Sequence, residues 1–254
     1  MKLNQNQTNI CLAGSWGGSG IEQLLKRTES WELKAHVALL LWSKKWIGVE
    51  KHADIFEIPF DDINIPAAKT ILADPYTRDW VSQQYMKIME QYNIDYLFLS
   101  GWLKLVLWMN SNKCINIHPG PTQRPYGWEG MHGMAVHEKI WEDYQAWIIH
   151  QTCVTMHYAT NQFDDPRFTI AQIPVTLEDC NSADDIQKKV NKMEHEVQWK
   201  ITQMIVNKDI NWSWDENDSI QVDMEAANEY NFPEGSVFAE NLDLMAGSGY
   251  KDRS

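Results

Sequence analysis

The chain has 254 residues, enough to bury one large core, and carries 44% hydrophobic residues with 13 tryptophans among them. Acidic side chains number 35 against 22 basic ones, a net charge of -13 that repels phosphate backbones and argues against DNA, tRNA or an anionic membrane as the main partner. No early apolar run is long enough for a signal peptide or a membrane helix, so a cytoplasmic protein acting on a small molecule is expected.

In chain order, Asn9–Ala13 is a short apolar strand, Gly14–Gly20 a glycine-rich turn, and Ile21–Leu25 the start of a helix. Glycines let backbone amides approach an anion, and a helix N-terminus adds positive potential; a plain flexible turn has the same spacing. Ala35–Leu41 reads as a second buried strand and Ile55–Phe60 as a third, ended by proline. Trp80–Tyr92 has helical spacing, and Ile94–Gly101 supplies another strand. Strand and helix alternate, which specifies an α/β fold, a mostly parallel sheet with helices on both faces and ligands beyond the strands' carboxyl ends.

Cys114–Pro121 ends an apolar run and sets Asn116 and His118 two residues apart, on one face if the segment is a strand. Gly127, Gly130 and Gly133 mark a loop, Met134–Trp141 a short helix, Ala146–Tyr158 one or two strands and Phe168–Val175 another. Ser182 with Asp185 three residues on forms a capping-box variant. The stripe Ile186, Val190, Met193, Val197, Ile201 and Ile205 then predicts a long helix packed on the sheet. After Trp212 the chain turns acidic and poor in aliphatics, a composition that favours disorder or an extended docking arm for residues 213–254.

Asn116, His118 and Asp164 are the candidate chemical groups. A carboxylate beside an imidazole orients it and suits it to general acid and base work, and an amide donor suits a developing oxyanion. Each also has a structural explanation: a turn cap, a satisfied core histidine, a loop carboxylate on backbone amides. A metal is the rival reading for His118, His132, His137, His150 and His157, but their spacings do not form a ligand set, and no metal is expected. Cys11, Cys114, Cys153 and Cys180 lie far apart and read as reduced core thiols. Trp16, Trp42, Trp46, Trp102, Trp108 and Trp128 sit near loop ends, either filling the core or stacking on a flat ligand.

Taken together, Gly18-Ser19-Gly20 before a helix, Leu99–Val106, Asn116-Ile117-His118-Pro119, Val154–Tyr158, Asp164, Ile170–Val175 and Asp184–Ile186 leading to Glu194-His195 resemble the glycinamide ribonucleotide formyltransferase family. This family lies within the 10-formyltetrahydrofolate-dependent formyltransferases. The resemblance covers residues 9 to 212 and implies a Rossmann-like formyltransferase domain over 1–212, with 213–254 as an appended extension. It implies that an amine attacks the formyl carbon of a folate donor, Asn116 steadying the oxyanion, His118 moving a proton and Asp164 positioning His118. It further implies that Gly18, Ser19 and Gly20 hold a substrate phosphate and that Asn191 and Glu194 touch the amine. Trp102, Lys104, Leu105, Val106, Tyr158, Ala159, Thr160 and Phe163 would line the pterin pocket.

The acceptor implied is a small phosphorylated amine, glycinamide ribonucleotide first and an amino-sugar or modified nucleotide second; a homo-oligomer through the extension is a further expectation. Initiator methionyl-tRNA is disfavoured by the charge, folate deformylation has no supporting feature, and a catalytically idle folate- or nucleotide-binding protein is the alternative of another class. The chain departs from the family pattern at Asp164-Asp165-Pro166-Arg167, where Asp-Gly-Gly-Pro is usual, at Gly120–Pro125, and at Gly20.

Overall fold

The computed structural model describes residues 7–15, 17–43, 49–107, 111–127, 130–161, 164–215 and 217–240. Trp16, Trp46, Trp108, Trp128, Phe163 and the tail 241–254 lie outside the described residues. Two compact units divide the chain, one holding the residues up to Asn116 with Ala159–Asn161, the other Ile117–Tyr158 and the residues after Asn161.

In the first unit the elements in chain order are β1 (Asn9–Gly14), α1 (Ser19–Glu29), β2 (His36–Trp42), α2 (Val49–Phe56), β3 (Phe60–Asp62), α3 (Ala68–Ala73), α4 (Pro75–Gln91), β4 (Tyr96–Ser100) and the start of β5 (Cys114–His118). Its strands lie in the order β3-β2-β1-β4-β5, with β1 parallel to β2 and to β4, and β2 parallel to β3. Residues 10–13 of β1 and 37–42 of β2 are all buried, so both strand faces are covered, as their unbroken apolar runs demand. Asp74 caps α4, accepting from the backbone N–H of Tyr76 and Thr77, with Pro75 at the first helical position.

The expected third strand Ile55–Phe60 is corrected. Residues 55 and 56 end helix α2, whose inner face is Val49 and Ala53, while Ile55 is 71% exposed. The strand starts only at Phe60, whose ring stacks on Trp42 at 4.6 Å. Helix α1 opens two residues earlier than expected, at Ser19, with Gly18 as its cap at φ 71°, a left-handed conformation that favours glycine.

The second unit continues from the end of β5 through α5 (Met134–Gln145), β6 (Gln151–Tyr158), β7 (Thr169–Thr176), α6 (Ala183–Asn207), β8 (Ile210–Asn211), β9 (Gln221–Val222), α7 (Met224–Glu229) and β10 (Val237–Phe238). The strand order is β5-β6-β7-β10, with β6 and β10 both antiparallel to β7. Ser182 caps α6 by accepting from Asp185 N at 3.2 Å, and Ile186, Val190, Val197, Ile201 and Ile205 are buried along its inner face. Of residues 213–240, Val237 and Phe238 pair with Gln172 and Ala171 of β7, and Phe232 meets Phe238 edge-on at 5.1 Å while Lys200 of α6 lies over its ring.

Candidate active site

At the end of β5, His118 is buried with each ring nitrogen facing an oxygen. Its Nε2 is 3.0 Å from the Tyr126 carbonyl, and its Nδ1 is 3.7 Å from Oδ2 of Asp164. A carbonyl only accepts, so Nε2 carries the proton of the neutral ring and the lone pair sits on Nδ1, toward the carboxylate. At 3.7 Å the second contact is too long for a direct hydrogen bond, and it becomes an ion pair only when His118 is protonated. Burial pulls the His118 imidazole below its ordinary value, opposed by the Asp164 carboxylate and reinforced by His157.

Asp164 meets a second imidazole. His157, near the end of β6, has Nε2 3.4 Å from Asp164 Oδ1 and donates from Nδ1 to the Tyr158 carbonyl at 3.1 Å. Both rings therefore commit one N–H to a backbone carbonyl and turn the other nitrogen to one carboxylate. A proton placed on His118 Nδ1 would face the Asp164 carboxylate, which opposes the burial that disfavours the charged ring.

Asp164 itself has φ 45°, a left-handed conformation uncommon outside glycine, asparagine and aspartate. The usual glycine pair is replaced behind it by a clamp. The Asp165 carboxylate accepts from Arg167 N at 3.1 Å and from the Arg167 guanidinium at 2.7 Å, capping a single 3-10 turn over Pro166–Phe168. The segment is held by charge-assisted hydrogen bonds where the family pattern has flexible residues.

The departing loop after His118 is equally tied down. Thr155 Oγ1 donates to the Gly120 carbonyl at 2.7 Å, Gln172 Nε2 reaches Gln123 Oε1 at 3.3 Å, and Thr122 and Thr169 pair through their hydroxyls at 3.3 Å. The N–H groups of Tyr126 and Gly127 both reach the Gln123 carbonyl at 3.0 Å. A Cβ on Gly127 would lie 2.1 Å from the Thr122 carbonyl oxygen, so only glycine closes this turn.

The structure brings His118 and Asp164 together and adds His157, which the sequence offered among histidines weighed for metal and within the Val154–Tyr158 motif, without a catalytic role. Its signal was a position seven residues before Asp164 at the end of an apolar strand. Asn116 lies two residues before His118 on β5 and is half-buried. Among the described residues no three His, Cys, Asp or Glu side chains are grouped to hold a metal.

On α6, Asn191 and Glu194 are one turn apart and joined by a side-chain hydrogen bond. Enclosure by protein pushes the Glu194 carboxyl up to about 7, against that bond. In the first unit, Gly18, Ser19 and Gly20 form the cap and first two residues of α1, where helices present backbone N–H groups to anions. The Gly17 carbonyl accepts from His52 Nε2 at 3.2 Å. Ser15 links the ends of β1 and β4, its N–H donating to Gly101 O at 3.0 Å and its Oγ accepting from Leu103 N at 2.9 Å.

Trp102 is buried, its indole N–H donating to the Tyr85 hydroxyl, which reaches the Leu105 carbonyl. Leu105 and Val106 are buried beside it, and Lys104 is half-buried. Ala159 donates its N–H to the Cys114 carbonyl at 2.9 Å, and Thr160 follows it, half-buried. Tyr158 is buried against Trp212 at 5.1 Å.

A family model described as formyl transferase matches residues 8–202. The chain is 24% identical over 205 residues to the chloroplastic phosphoribosylglycinamide formyltransferase of Arabidopsis thaliana, covering 79% of this chain and 66% of that protein's length. Among solved structures, the fold matches glycinamide ribonucleotide transformylase 1 from Symbiobacterium toebii with TM-score 0.66 at 14% identity, covering 85% of this chain and 94% of the other. It matches the phosphoribosylglycinamide formyltransferase of Coxiella burnetii with TM-score 0.66 at 18% identity, covering 86% and 94%. With the matched region running through β5, the histidine cluster and most of α6, the chain belongs to the formyl transferase family.

Proposed function

We propose that the chain transfers a formyl group from 10-formyltetrahydrofolate to the primary amine of a small phosphorylated acceptor, with glycinamide ribonucleotide the first candidate. The observation that carries this reading is the His118, Asp164 and His157 cluster, in which one carboxylate faces two imidazoles, in a formyl transferase chain. The amine nitrogen attacks the formyl carbon, and its carbonyl oxygen becomes an oxyanion that the Asn116 amide receives in this reading. The attacking nitrogen gives up a proton to the cluster through the His118 ring. The bond from the formyl carbon to N10 of the folate then breaks, and a proton goes to N10, leaving tetrahydrofolate and the formamide.

In this reading the first turn of α1 at Gly18, Ser19 and Gly20 takes the acceptor's phosphate, and Glu194 with Asn191 takes its amine end. The folate lies against the backbone from Trp102 to Val106 and against Tyr158, Ala159 and Thr160, with Phe163 assigned there from the sequence alone. The buried Trp102 supports this through the backbone it fixes, since its indole is turned to Tyr85. An amino-sugar or modified nucleotide is the second acceptor class, favoured by the stitched loop Gly120–Gly127, where the chain leaves the family pattern. Residues 1–212 are the catalytic domain and 213–254 an extension that also carries the expected homo-oligomer contact; the cytoplasm is the proposed compartment. No described helix is long and apolar enough to cross a membrane.

The test is the absorbance change of folate deformylation by the full chain, with no amine, with glycinamide ribonucleotide, and with a panel of amino-sugar nucleotides. Acceleration by one amine identifies the acceptor. Turnover without any amine would replace transfer by hydrolysis, and folate binding without turnover would leave an idle binding protein.

A further inference from the structure

His118 is held at Nε2 by the carbonyl of Tyr126, whose own phenol is tied into a polar chain that core packing does not require. The Tyr126 hydroxyl donates to Asp143 Oδ2 at 2.8 Å, and Lys139 Nζ donates to Asp143 Oδ1 at 2.9 Å. Asp143 is buried on α5, and burying a carboxylate costs several kcal/mol unless it is paired and hydrogen-bonded. Phenylalanine at 126 together with an apolar residue at 143 would fill the same space without that cost. Burial and the Asp143 carboxylate push the Tyr126 phenol up, so it stays a neutral donor. On its other side the loop is stitched to β6 and β7 by Thr155, Thr169 and Gln172.

We infer that Tyr126 and Asp143 are positioning residues for His118, fixing its neutral proton on Nε2 so that the basic lone pair is on Nδ1. With the Tyr126 carbonyl displaced, a neutral ring beside a carboxylate would move its proton to Nδ1 and lose the lone pair that faces Asp164. The titratable groups that face His118 are Asp164, His157 and His137, and none of them fixes Nε2. The inference rests on His118 as the proton-transfer group of the proposed reaction.

The experiment uses the full chain with nitrogen-15 histidine, reading the tautomer and titration of His118 by NMR beside steady-state kinetics. Its variants are Tyr126→Phe, Asp143→Ala and Asp143→Asn. Expected are an Nε2-protonated His118 in the parent chain, and a roughly tenfold loss of kcat at an amine KM within twofold in Tyr126→Phe and Asp143→Ala. Nitrogen signals should move toward the other tautomer in these two variants. Asp143→Asn, which still accepts from the phenol, should restore most of both readouts. Unchanged His118 nitrogen signals in Tyr126→Phe, which keeps the ring and its packing, would overturn the inference. Full activity in His118→Ala would instead remove the catalytic reading, while the nitrogen signals still decide the positioning.

Discussion

His157 approaches the Asp164 carboxylate more closely than His118 does, at 3.4 Å against 3.7 Å. One carboxylate thus serves two imidazoles, and the two neighbours of His118 act on it with opposite sign: Asp164 holds its proton on, His157 drives it off.

The first prediction uses that opposition. His118→Ala and Asp164→Asn are expected to lower kcat by about 10²- to 10⁴-fold with the fold intact. If neutral His118 is the base, the acid limb of the pH–kcat profile lies below the ordinary histidine range. In Asp164→Asn the limb should move lower still. In His157→Gln it should move upward, with a loss of about tenfold or less in kcat. A limb that stays put in both variants separates the cluster from the rate.

Glu194 makes the second. Its carboxyl is pushed up from 4.5 to about 7 by burial, so the folded chain binds the proton more tightly than the unfolded one. This contribution is present in full below pH 4.5 and is lost as pH rises through about 7. Glu194→Gln should therefore gain on the order of 1–3 kcal/mol over the parent at pH 8 and little at pH 4.5, read by urea melts. If Glu194 holds the acceptor's amine, the same variant raises its KM.

His137 runs the other way. Burial first, then His118, pushes it from 6.5 down to about 4, and its Nδ1 is buried without a hydrogen-bond partner. Stability tied to keeping it neutral is present above pH 6.5 and is lost as pH falls through about 4. His137→Leu should flatten this acid loss in melts between pH 6.5 and 4. A parent and variant with parallel acid profiles would contradict it.

The extension supplies the fourth. Phe238 is buried where β10 pairs with β7, so Phe238→Ala should cost about 3–5 kcal/mol in the full chain. Ending the chain after Trp212 should lower the melting temperature by more than removing residues 241–254. Light scattering of both chains tests the proposed oligomer contact.

Much of the first unit was legible because β1, β2 and β4 are unbroken apolar runs between turn residues, which only a covered sheet accommodates. The Ile55–Phe60 error has a plain cause. Its apolar residues alternate as a strand's would, yet Ile55 is solvent-facing, and Val49 and Ala53 decide the local structure by packing inward. At the site, His118 and Asp164 could be named from motif order, whereas Tyr126 and Asp143 could not. Their link joins a loop to a helix face seventeen residues on, and no spacing rule encodes it. The Asp165 and Arg167 clamp was hidden for another reason, since the lost glycines suggested a changed site where the structure shows a stiffened one.

If the loop Gly120–Gly127 selects the acceptor, as proposed, Gly127 sets a boundary on how that preference could be redesigned. Any side chain there collides with the Thr122 carbonyl, so a library that randomises residue 127 would consist largely of chains whose loop has sprung open. Diversity is better placed at Arg124, an exposed neighbour in the same loop. If the loop selects the acceptor, as proposed, that selection would be changed over a backbone that one missing methyl group keeps closed.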